Sequence, residues 1–159
     1  MASSPTLLAR GMAALRLDFT PSGTQPAVAR LVLATLVSIG GSLAADAALV
    51  AIGTRVFPHT KHYVHFRFSD YGKLTVIGVV IACVAWPVVT RISFDPRWLF
   101  LRLAVVVTLV LWLPDLWILS QGQPGRAVAV LMAMHLAIAL VTYNALIRLA
   151  PAPRRSGPA

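Results

Sequence analysis

The chain has no glutamate, one cysteine and two lysines, and only 12% of its 159 residues carry charge. The single cysteine, Cys83, rules out an internal disulfide and a Cys-rich metal cluster. It falls within an apolar run, where a small packing residue accounts for it. Sparse charge beside a hydrophobic fraction of 58% excludes an ordinary soluble domain. The apolar residues come in long runs and not in the period-3.6 stripes of a surface helix, so a soluble fold would have too little protein to cover them. A Walker loop, a dinucleotide GxGxxG, a GxSxG elbow, HExxH and Cys-based zinc spacings are all missing. We therefore expect no enzyme activity and no cofactor. The formal charge of +9 does not imply nucleic acid, because the 14 basic residues are scattered over loops and tails without an aromatic platform. Anionic lipid headgroups suit them better. The acidic residues are all Asp and twelve of the basic ones are Arg, a bias that resembles coding by a GC-rich genome such as that of an actinobacterium.

Four apolar runs, at residues 31–52, 74–90, 99–119 and 127–149, fill most of the chain. Helices of that length, at 1.5 Å per residue, cross a hydrocarbon core of about 30 Å. The expected fold is all-α, an integral membrane bundle of four transmembrane helices over residues 28–150. Arg30 and the small residues Ala45-Asp46-Ala47 mimic a cleavable signal, but apolar sequence continues through Leu49, Val50 and Ile52, so the first run reads as a retained span. Residues 1–27 form a tail in which 5–19 reads either as a short amphipathic helix on the membrane surface or as disordered chain. Residues 151–159, rich in Pro and Arg, are expected to be disordered. The two termini and the second loop together hold nine Lys and Arg, against five in the first and third loops. The positive-inside rule then puts both termini in the cytoplasm of a cell-membrane protein. Small residues spaced four apart, Gly40 with Ala44, Gly41 with Ala45, Gly78 with Ala82 and Ala133 with Ala137, permit close helix contact. They suit internal packing first, and contact with another copy or another membrane protein second.

Asp46, Asp115, His135 and Asn144 fall inside the spans, where an unpaired charge costs about 2.5 to 3.5 kcal/mol. Counted from the loop-bearing ends at 1.5 Å per residue, Asp46, Asp115 and His135 lie about 9, 6 and 12 Å deep, so the three can share one layer. Such a cluster can serve as a hydrogen-bonded knot that fixes helix register, as a proton relay or as a cation site. Alternatively, the two carboxylates merely reach the headgroups. Asn144, in the other leaflet, suits a helix-to-helix hydrogen bond.

The first loop places His59, His62 and His65 at three-residue intervals, a spacing that on a helix would let imidazoles share Zn or Cu. Arg55, Lys61, Arg67 and Lys73 oppose a divalent ion there. A cationic, aromatic loop on the headgroup layer is the better reading, with Trp86, Trp98, Trp112 and Trp117 in the same belt.

Three short motifs carry a family resemblance: Leu74-Thr75-Val76-Ile77-Gly78, Leu113-Pro114-Asp115-Leu116 and Met134-His135-Leu136. With the four spans, they make residues 31–149 resemble the DUF6069 family of small actinobacterial membrane proteins. The resemblance implies a four-helix integral membrane protein of uncharacterised function and carries over no catalytic residue. It also implies polar positions at Asp115 and His135.

Overall fold

Long apolar runs satisfy their backbone only by closing hydrogen bonds within each segment, and every run here does so as a helix. The computed structural model describes Gly11, residues 25–61 and residues 63–152. The tail expected at 1–27 and the end beyond 152 otherwise lie outside the described residues. Helix α1 is Val28–Val56, α2 is Phe68–Ile92, α3 is Pro96–Ser120 and α4 is Gly125–Leu149. All four are long and apolar enough to cross a membrane, and among the described residues there is no strand. Only 11 to 33% of their most apolar windows is buried inside the protein, so most of their surface is left for lipid.

The helices outrun the apolar segments that signal them. α1 continues through Thr54 and Arg55, and α2 begins six residues before Leu74, taking in Asp70 and Lys73. Hydropathy marks the hydrocarbon slab, whereas intrahelical hydrogen bonding carries on into the polar headgroup region. Tight connections make neighbouring spans antiparallel. Ser93 to Asp95 joins α2 to α3, with Pro96 at the first position of α3, where its missing N–H costs nothing. Gly122, at φ 83°, turns the chain out of α3 in a conformation that a side chain would strain.

α1 packs most extensively on α4 and then on α2, while α3 leans chiefly on α4. At Gly41 an added Cβ would come within 2.9 Å of Val141 Cγ1, and at Gly53 within 2.8 Å of Val130 Cγ2. Those two glycines let α1 and α4 approach closely, as helices in lipid need in order to gain van der Waals contact. Gly41 and Ala45 are thus internal packing residues, whereas Gly40 and Ala44 on the adjacent face are exposed, as is Gly78.

At the end that carries the termini, Ala34, Val79, Cys83, Trp86, Val89, Leu99, Phe100, Leu146 and Ala150 form the apolar core. Trp86 is a correction to the interfacial belt: it is 1% exposed, donates to Ala150 O at 2.8 Å, and packs edge-on to Phe100 at 5.1 Å. Trp112 is half-buried and donates to Met132 O at 3.1 Å. Trp98 and Trp117 are exposed.

Candidate polar site

Asp46, Asp115 and His135 come from α1, α3 and α4, and each turns toward the bundle interior. Asp46 is fully buried and Asp115 is 5% exposed. Asp115 Oδ2 lies 2.9 Å from His135 Nδ1, which pins α3 to α4. Asp46 Oδ2 accepts from Thr75 Oγ1 at 2.7 Å, which pins α1 to α2. Asp46 and His135 interact electrostatically, so the two pairs form one layer across all four helices. Neither carboxylate is turned out of the bundle.

Nothing in the residue pattern marks Thr75 as the partner of Asp46. A threonine in a helix usually bonds its own preceding turn, as Thr35 does to Leu31 O at 2.9 Å and Thr108 to Ala104 O at 2.8 Å. Asn144 also bonds its own helix, donating from Nδ2 to Leu140 O at 2.8 Å, so the cross-helix bond expected for it is not made.

The first loop supplies the rim of this layer. It is built of two single 3₁₀ turns, Pro58–Thr60 and Val64–Phe66, and not of a helix that would align its histidines. His59 packs against Phe57 at 6.4 Å and His65 against Tyr63 at 5.3 Å, on separate turns, while His62 lies outside the described residues. Among the described residues no three His, Cys, Asp or Glu side chains come together as metal ligands. His65 is instead close enough to Asp115 to interact with it electrostatically. Burial pushes the Tyr63 hydroxyl above its ordinary pKa, and the Asp115 carboxylate adds to the shift. Arg126, at the start of α4, lies 5.1 Å over the Phe57 ring and ties the first loop to the third.

A cleft of about 340 Å³ opens beside these turns, lined by Val50, Thr54, Lys61, Tyr63, Phe66 and Arg67. Val50 and Thr54 follow Asp46 at four-residue steps, so the cleft lies directly above the carboxylate on the same face of α1.

Among the described residues six buried side-chain polar atoms make no regular hydrogen bond: Arg102 Nε near the second loop and, in this region, Ser42 Oγ, Asp46 Oδ1, Thr142 Oγ1, Tyr63 Oη and Ser38 Oγ, the last of which faces the Cys83 thiol. Ser38 and Ser42 precede Asp46 at the same four-residue step, a signal that was present in the sequence and masked by the apolar residues around it. Chemically, the layer combines two carboxylates, an imidazole and hydroxyls, groups able to hold helix register, to pass protons or to solvate a small guest. Comparison with family models, with curated proteins and with solved structures finds no match to this chain in any of the three.

Proposed function

We propose that the chain is a non-enzymatic, multi-pass protein of the cell membrane that works through helix contacts within the bilayer, as an accessory subunit or as a homo-oligomer. The observation that supports this most directly is the division of α1 into two small-residue faces. Gly41 is used up in contact with α4, while Gly40 is exposed, with open space where a Cβ would stand, and Ala44 continues that face. A second helix can approach there as closely as α4 does on the other side. Both termini in the cytoplasm agree with the nine-to-five distribution of basic residues. The resemblance to DUF6069 agrees with a small four-span protein of this kind. Cysteines introduced at Gly40 and Ala44 in a Cys83→Ser background test the reading. Disulfide crosslinking in native membranes should yield a dimer or a defined hetero-adduct. A strictly monomeric chain with no co-purifying protein in mild detergent contradicts it.

A second reading, a small proton-coupled permeation element, is favoured by one observation, the Asp115–His135 pair joined electrostatically to Asp46. It calls for a pH-dependent flux in proteoliposomes that falls on His135→Ala or Asp115→Asn. A folded parent chain with no flux removes it.

A further inference from the structure

We propose that the bundle contains a one-sided, water-filled well. It opens at the first-loop cleft, passes the Asp46 carboxyl, and ends blind below Ser38. The inference depends on neither functional reading. A contact protein would carry the well as internal water, and a permeation element as half of its path.

The register of the helices sets the order of the groups. The contacts of Gly41 with Val141 and Gly53 with Val130 match twelve residues along α1 to eleven back along α4. Thr142 therefore stands about level with Gly40 and Gly41, between Ser38 and Ser42, and His135 stands just above Asp46. The Thr75–Asp46 bond sets α2 in the same way, putting Cys83 level with Ser38 and Trp86 nearly a turn beyond it.

From Thr54 to Ser38 the well spans sixteen residues of α1, about 24 Å of rise. Along it lie five of the six buried polar atoms that make no regular hydrogen bond among the described residues, four of them on residues no more than 4% exposed, with Ser38 Oγ at the bottom facing the Cys83 thiol. Leaving buried donors and acceptors unpaired is costly, and in native proteins such groups are bonded to protein or to internal water. Asp46 Oδ1 makes the argument independent of charge state. If ionised, it lacks a donor; if protonated, it lacks an acceptor, because none of the neighbouring hydroxyls bonds to it. A water molecule supplies either role, and several polar atoms at successive levels give each water more than one partner.

Charge at the mouth favours water over a metal cation, since Lys61 and Arg67 line it. The titratable groups facing the upper well are Tyr71 from α2, Asp115 from α3, His135 from α4, and Tyr63 and His65 from the first loop. Below Ser38 the polar side chain on this side of α1, Thr35, bonds its own preceding turn at Leu31 O. Ala34, Trp86 and Leu146, none more than 1% exposed, close the interior, and the Trp86 indole N–H is turned aside to Ala150 O.

Hydrogen–deuterium exchange read by infrared spectroscopy tests the well with water itself as the probe. Cysteines are placed one at a time at Ser42, Ser38 and Ala34 in a Cys83→Ala chain, and proteoliposomes are transferred to D₂O. The isolated S–H stretch then reports each position. The Ser42→Cys and Ser38→Cys thiols should exchange at least about tenfold faster than Ala34→Cys, because a dry site exchanges only through rare opening. Ser to Cys is nearly isosteric, and either of the two positions suffices if one variant misfolds. Adding Thr54→Trp, a half-buried position at the cleft, should slow both. Exchange at Ser42→Cys and Ser38→Cys as slow as at Ala34→Cys overturns the well. Equally fast exchange at Ala34→Cys overturns its blind end, and no effect of Thr54→Trp overturns its mouth.

Discussion

Asp115 and His135 are joined by one hydrogen bond, while His65 near Asp115 and Asp46 near His135 act through charge alone. Replacing His135 with Ala leaves a carboxylate that is 5% exposed without its donor. Cross-helix hydrogen bonds in membrane proteins contribute up to about 1.7 kcal/mol, and loss of the partner of a buried charge tends to the upper end. We expect His135→Ala to cost about 1 to 2 kcal/mol in reversible unfolding from mixed micelles. Asp115→Asn should cost less, because the amide oxygen still accepts from Nδ1–H. Equal losses in the two variants would mean that the charge on Asp115, and not the hydrogen bond, carries the stabilisation. At this scale the sequence was informative about which polar residues matter and poor about what they touch. The depth of Asp46, Asp115 and His135 is a matter of counting along helices. Partners depend on rotation about each helix axis, and for α1 that rotation is signalled only by the four-residue step from Ser38 to Asp46. The same gap hid the burial of Trp86, whose ring the count alone assigns to an interface.

Between helices, the useful contrast is between two adjacent glycines. Gly41→Val should force α1 away from Val141, a stiff β-branched neighbour already within 2.9 Å of an added Cβ, at a cost of about 1 to 3 kcal/mol. Gly40→Val meets nothing within the chain and should change unfolding by no more than about 0.5 kcal/mol. Thermal unfolding of the two variants side by side decides the point, and it separates folding from assembly, since Gly40→Val should still weaken any contact made through the outer face. The spans themselves were legible because hydropathy and length suffice to define a transmembrane helix. Their ends were not, since Thr54, Arg55, Asp70 and Lys73 are polar yet helical. Which small-residue pair faces inward was also beyond the sequence. Gly40-Ala44 and Gly41-Ala45 are equivalent as patterns, and only the packing of α4 against one of them tells them apart.

Among the described residues, the first and third loops share one face, joined by Arg126 over Phe57, and the second loop shares the other with the start of α1 and the end of α4, where Trp86 of α2 bonds Ala150 O. If the termini are cytoplasmic, a cysteine at exposed Lys61 or Gln123 should react with an impermeant maleimide added to intact cells, and one at exposed Phe94 should not. The opposite pattern inverts the protein in the membrane. The pairing of polar residues also has a consequence for how the chain enters the bilayer. Asp46 on α1 takes a hydrogen bond from Thr75 on α2, and Asp115 on α3 pairs with His135 on α4, so each carboxylate waits for the helix synthesised immediately after it. An unpaired Asp at the centre of a span costs about 2.5 to 3.5 kcal/mol, a penalty that pairing with the following helix relieves. The spans should therefore leave the insertion machinery as two hairpins, α1 with α2 and α3 with α4, and not one at a time. A nascent chain truncated after Gln123 should hold α3 at the translocon in crosslinking assays, Asp115→Leu should release it, and lengthening the chain through Leu149 should release the unmodified α3 together with α4.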